Sequence, residues 1–178
     1  MTEFLVTNTS SSLAANITKA CMDHELQSLY LFKNSVFDPS GMLATWTGTS
    51  CCLWERVWCD GITENVKSLY LRGHISSRYE FLVINDVGTS YVALKELQYL
   101  DLSWNHFQGS LISQFIGSLK QLQHLNLSTA SLSGVVPDFI GNLSNLKQLD
   151  LSYIFFWWPT SSLFLKPVIS TIDGSFRF

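Results

Sequence analysis

Charge is scarce in this chain of 178 residues. Asp, Glu, Lys and Arg together make up 14%, with 11 basic residues against 14 acidic ones. So few Lys and Arg form no patch, and a net charge of -3 leaves no electrostatic footprint for a nucleic-acid backbone. Long apolar runs are missing too. No uninterrupted stretch of apolar residues reaches the length of about 18 that a membrane-spanning helix needs. The nearest approach, YIFFWWPTSSLFLKPVIS, is broken by two prolines, a lysine and several hydroxyl residues. Residues 1–20 lack a basic start and an apolar core and carry Glu3, which is not the pattern of a secretory signal. Catalytic signatures are absent as well: there is no G-x-S-x-G, no Gly-rich phosphate loop and no kinase motif. His24, His74, His106 and His124 are scattered and read as surface or turn residues. Asp101 and Asp150 share a slot in different segments, but acid–base work would need them to converge on a cleft. These absences predict no catalytic residues, no cofactor and no metal.

What is present is a phrase spoken three times between Leu97 and Leu151: LQYLDLSWNHFQGSLISQFIGSLKQ, then LQHLNLSTASLSGVVPDFIGNLSN, then LKQLDLSY. Leu97, Leu122 and Leu146 open the copies at intervals of 25 and 24 residues. A fixed period in this range is the mark of a stacked solenoid. In L-x-x-L-x-L the last two leucines are two apart, which is strand periodicity with one face inward. Each turn therefore contributes one short strand, and stacked turns make a parallel sheet. The intervening positions are expected to point outward onto one face: Ser68, Tyr70 and Arg72; Tyr99, Asp101 and Ser103; His124, Asn126 and Ser128; Gln148, Asp150 and Ser152. Gly109 and Gly134 sit where the backbone must turn. Phe115, Ile116, Leu119, Phe139, Ile140 and Leu143 are expected to close each turn on the opposite side. The pattern also breaks. The buried Asn expected after each strand is present only as Asn105, with Ala130 and Ile154 at the equivalent positions, and the repeat proline survives as Pro137 where the first copy has Ser113.

Upstream, Asp23 is placed to cap a helix whose apolar stripe is Leu26, Leu29, Tyr30, Phe32 and Phe37. Pro39 and Gly41 stop it. A short amphipathic helix needs a packing partner, and the open end of the solenoid supplies one. The next segment, 43–62, holds Trp46, Trp54 and Trp58, side chains large enough to predict that all three are packed. Vicinal Cys51 and Cys52 do not readily pair with each other, so bonds to Cys21 and Cys59 would satisfy all four thiols; spacing alone leaves three connectivities open. A zinc site lacks a C-x-x-C pair and a nearby His at ligand spacing. Four N-x-S/T sequons, at Asn8, Asn16, Asn126 and Asn142, are candidate glycosylation sites.

The stretch HELQSLYLFKNSVFDPSGMLATWTGTSCCLWERVWCD (24–60) resembles the N-terminal cap of plant leucine-rich-repeat proteins. The 97–151 phrase resembles their repeats, as in the receptor-like proteins and receptor kinases of plant cell surfaces. The resemblance implies an α/β fold: a leucine-rich-repeat solenoid with short parallel β-strands on the concave face and an α-helical, disulfide-bonded N-terminal cap. It also implies the pairs Cys21–Cys51 and Cys52–Cys59. The organisation expected is an unassigned leader over 1–20, the cap over 21–65, a divergent first repeat with an insertion over 66–96, repeats over 97–154 and an apolar non-repeat tail over 155–178. The function implied is non-catalytic recognition of an extracellular protein or peptide ligand, with a co-receptor kinase as a further partner, at the plasma-membrane surface or in the apoplast. The ligand would sit on the strand face listed above. The rival expectations are a secreted inhibitor of a microbial wall-degrading enzyme, similar to polygalacturonase-inhibiting proteins, and a non-functional product. Two sound repeats followed by an apolar tail read as a truncated member of the family.

Overall fold

The computed structural model describes residues 21–74, 80–85, 93–156 and 169–170. The leader 1–20, its sequons Asn8 and Asn16, and most of the tail lie outside them. Helix α1 (Asp23–Ser35) carries Asp23 and Glu25 in its first turn, where their charge opposes the helix dipole. Asp23 is not the cap: Met22 holds that position, no side chain caps the helix, and the Leu26 N–H donates to the Met22 carbonyl at 2.9 Å. Leu26, Leu29 and Phe32 are buried as the stripe predicts, with Tyr30 packed at its edge. Phe37 departs from the prediction. The helix ends two residues earlier, so Phe37 lies in strand β1 (Val36–Phe37) and is exposed.

The turn after β1 is closed by Asp38, whose carboxylate accepts from the Met42 and Leu43 N–H groups at 2.8 Å each. Trp46 and Trp54 then stack at 5.4 Å in the cap interior, and their indole N–H groups donate to the carbonyls of Glu55 and Thr47. Buried indoles need such partners. Trp58 contradicts the packed reading. It lies in strand β2 (Val57–Cys59), where Val57 and Cys59 face inward, so period-two alternation turns Trp58 out to 56% exposure. Disulfides Cys21–Cys51 and Cys52–Cys59 tie this segment to the foot of α1 and across its own loop.

Strand β3 (Val66–Tyr70) pairs antiparallel with β2 and parallel with the repeat strand β5 (Tyr99–Asp101). Between them the chain departs after His74 and returns at Glu80, the two residues exchanging backbone hydrogen bonds of 2.6 and 2.9 Å. It then rejoins the stack as β4 (Val83–Ile84), antiparallel to β1, with Leu82 and Ile84 fully buried. Gly73 makes that departure possible: a Cβ there would sit 2.1 Å from the Trp104 carbonyl oxygen. The stack continues through β6 (His124–Asn126), with β7 (Ser133–Gly134) in the turn beyond it, and through β8 (Gln148–Asp150). Registers are Ser68–Tyr99–His124–Gln148, Leu69–Leu100–Leu125–Leu149 and Tyr70–Asp101–Asn126–Asp150. β7 pairs parallel with β9 (Phe155–Phe156), and β10 (Ile169–Ser170) returns antiparallel along β8.

All nine leucines of the three L-x-x-L-x-L motifs are buried. Behind them, 3-10 turns Gln114–Ser118 and Asp138–Asn142 close each coil, burying Ile116, Leu119, Ile140 and Leu143 while Phe115 and Phe139 pack at the margin. Trp104, Thr129 and Tyr153 follow the strands at equivalent positions with φ of 59°, 54° and 59°, so each coil turns through the left-handed region. Where Asn105 is present it acts as predicted. Its Oδ1 accepts from the Leu82 N–H at 2.8 Å, and its Nδ2 donates to the carbonyls of Leu71, Leu102 and Ser103. Ala130 and Ile154 fill the same slot with buried apolar atoms.

Candidate recognition face

The strand face is built by alternation, but it does not present every residue that alternation nominates. Asp101, Ser103, Ser68, Ser128 and Ser152 are buried rather than outward. Ser68 lies between Trp58 and Tyr99 in register; in the three coils that follow, the cause is a local motif. Asp101 Oδ1 accepts from the N–H and Oγ of Ser103 at 2.9 and 2.6 Å, and Asn126 Oδ1 does the same with Ser128 at 3.0 and 2.7 Å. Asp150 Oδ1 accepts from the Ser152 N–H at 2.9 Å. These Asx turns end the strand three residues after it begins and fold the serine back on itself. The D-L-S and N-L-S tripeptides are therefore turn formers.

What stays available is mostly aromatic. Tyr70 is 46% exposed and meets Tyr99 at 4.8 Å between ring centroids. Tyr99 meets His124 at 5.7 Å, and His124 Nδ1 is 2.9 Å from Gln148 Oε1. The row thus crosses four adjacent strands. Burial pushes the Tyr99 phenol above its usual range, and the nearby Asp101 carboxylate adds to the effect. Arg72 is exposed and lies 6.0 Å from the centre of the Trp104 ring. Arg56 locks the edge of this array: its guanidinium donates to the carbonyls of Tyr70 and Arg72 and to Glu80 at 3.4 Å. Trp58, opposite Ser68 in register, adds an exposed ring from the cap strand. Sequence reasoning missed it, although Val57-Trp58-Cys59 has the in-out-in pattern that would have placed it outward.

The two disulfides account for the close approach of Cys51, Cys52 and Cys59, so the thiol cluster is not a metal centre. Beneath α1, Leu29, Phe32, Leu69, Leu97 and Phe115 line an apolar void of about 20 Å³, roughly the size of a single water and without polar partners. Asn142 is exposed on the back of the second coil, whereas Asn126 is half-buried on the front. His24, His74 and His106 are exposed. Among the described residues, no helix is long and apolar enough to cross a membrane.

Comparison with known proteins gives a consistent result. Residues 22–60 match the leucine rich repeat N-terminal domain, and residues 96–119 and 121–143 match the leucine rich repeat. The chain is 37% identical over 157 residues to the receptor-like protein EIX1 of Solanum lycopersicum, a match covering 83% of this chain and 15% of that protein. It is 38% identical to EIX2 of the same plant over 66% of this chain and 12% of EIX2, so it spans a small fraction of the length of these relatives. Among solved structures, the BIR2 ectodomain of Arabidopsis thaliana superposes with a TM-score of 0.65 at 27% identity, covering 77% of this chain and 70% of that one.

Proposed function

The chain belongs to the leucine-rich-repeat receptor-like proteins of plants, and we propose from this that it is a non-catalytic module for recognising an extracellular protein or peptide. The observation that carries the reading is the aromatic and polar row on the strand face, which leaves rings and a cation free while the carboxylates are committed to turns. Aromatic and Arg side chains on a rigid surface are the usual energetic anchors of protein interfaces. Similar ectodomains support a partner of this class: one solved structure is the receptor kinase HAESA with a peptide hormone ligand, another a BIR3–SERK2 complex. The working compartment is extracellular, because disulfides of this kind persist under oxidising conditions. Defence signalling is the setting we favour from the likeness to EIX1 and EIX2, and of the two described sequons Asn142 is the better presented for a glycan.

The test is retention of a secreted plant protein by the immobilised, disulfide-intact chain and by its Tyr99→Ala/His124→Ala double variant. A protein held by the first and released at least tenfold faster by the second is the expected result. Retention indifferent to the double substitution, or none at all, refutes the reading. Inhibition of a fungal polygalacturonase would redirect it to the inhibitor class.

A further inference from the structure

The two bridges of the cap lie against each other, and their closeness couples their chemistry. We propose that Cys52 is a modification site for a low-molecular-weight thiol such as glutathione, and that its thiolation is passed through Cys59 to Cys51, releasing Cys21. This goes beyond the recognition reading and does not depend on what the strand face binds.

Three observations support it. First, access is unequal. Cys51 is fully buried and Cys21 and Cys59 are 6% and 7% exposed, whereas Cys52 is half-buried at the margin of the core. Thiol–disulfide exchange needs access to the sulfur attacked, so an external thiolate enters at Cys52. Second, the sulfurs of the two bridges are neighbours. The Sγ atoms of Cys51, Cys52 and Cys59 all lie within 4.8 Å of one another, although Cys51 belongs to one bridge and Cys52 and Cys59 to the other. Once cut from Cys52, the Cys59 side chain is free to change rotamer, a swing of about 3 Å at its sulfur. The register of β2 against β3 also shifts between Trp58 and Cys59, so no regular ladder clamps that end of the strand. A nucleophile held this close acts at an effective concentration that no dissolved thiol matches.

Third, α1 keeps its seat without Cys21. Glu25 Oε2 accepts from the Val66 N–H, the Tyr30 hydroxyl donates to the Gly48 carbonyl at 2.7 Å, and the Lys33 ammonium donates to the Trp46 carbonyl at 2.8 Å. The exchange therefore unties the chain before the helix and leaves the cap folded. At the foot of α1 there remains the 3.4 Å bond from the Cys21 N–H to the Thr49 carbonyl.

The steps balance. The reagent thiolate attacks Cys52 Sγ; a mixed disulfide forms there, the Cys52–Cys59 bond breaks, and Cys59 leaves as the thiolate. Cys59 Sγ then attacks Cys51 Sγ, the Cys51–Cys59 bond forms and the Cys21–Cys51 bond breaks. Cys21 leaves with the electron pair and takes up the proton that the reagent gave up. Two disulfides are present before and after, and one thiol replaces another, so no oxidant or reductant is consumed.

The experiment treats the full chain, both bridges formed, with glutathione at neutral pH and traps free thiols with N-ethylmaleimide. Non-reducing peptide mass spectrometry, with fragmentation to separate Cys51 from Cys52, then maps the products. Glutathione on Cys52, maleimide on Cys21 and a Cys51–Cys59 cross-link are expected together. Cys21 should be labelled at least tenfold faster than in the Cys52→Ser/Cys59→Ser variant, which lacks the attacking sulfur. Retained indole N–H signals of Trp46 and Trp54, hydrogen-bonded inside the cap, certify that this variant folds; if they are lost, the mapping of the unaltered chain decides alone. Maleimide on Cys59 with Cys21–Cys51 intact, glutathione first on Cys21 or Cys51, no adduct at all, or equal labelling of Cys21 in the folded variant would each overturn the proposal.

Discussion

Glu25 shows how one side chain can join two units. It is buried on α1, and its Oε2 accepts from the Val66 N–H at 3.0 Å, which fastens the helix to β3. Burial raises its pKa above the usual carboxylate value, the Val66 bond and His24 opposing this, with Glu96 and Lys67 nearby. A folded-state pKa above the unfolded one means that the folded protein binds the proton more tightly. This contribution to stability is full below the unfolded pKa and is lost as pH rises through the folded one. Glu25→Gln should therefore raise the melting temperature relative to wild type more at pH 7 than at pH 4, and an equal difference at both would contradict the assignment. Asn105 is a second such residue. Asn105→Ala strands the Leu82 N–H and the Leu71 carbonyl, at a cost of about 1–3 kcal/mol for each unpaired group, readable from urea unfolding. The sequence exposed Asn105 through its place in the repeat. It did not expose Glu25, whose partner lies 41 positions away.

At the level of elements, the cap depends on its two bridges unequally. Cys21–Cys51 spans 30 positions and Cys52–Cys59 spans 7. By loop-closure entropy the longer bridge stabilises by about 3.6 kcal/mol and the shorter by about 2.4 kcal/mol. Removing the pair Cys21/Cys51 by serine substitution should thus lower the urea midpoint more than removing Cys52/Cys59. The opposite order would show that the small loop carries the fold of β2. The insertion after β3 is also an element-scale feature. Its length is visible in the sequence as a 31-residue unit, but its return is not. Leu82 and Ile84 enter the core by pairing with β1 and with His106, contacts that no periodicity announces. Gly73→Ala should be severely destabilising, because the new methyl meets backbone rather than a side chain that can move.

For the whole molecule, a solenoid exposes an unpaired strand at each end unless something covers it. Here β2 covers one end and β10 runs antiparallel along β8 at the other. Deleting residues 157–178 should uncover the β8 edge and give concentration-dependent self-association on size exclusion; an unchanged monomer would show that the edge is protected otherwise. Stacking, the parallel sheet and the inward leucines follow from the sequence alone, because a period of 24–25 residues with leucines two apart admits one way of burying them. The disulfide partners follow from likeness to a family, where spacing left three choices. The composition of the strand face was decided only by tertiary structure. Alternation nominates Asp101, Ser103, Ser128 and Ser152, yet hydrogen bonds within two residues withdraw them into turns. The same alternation, acting on a cap strand whose place in the sheet no local pattern reveals, brings Trp58 onto the face beside them.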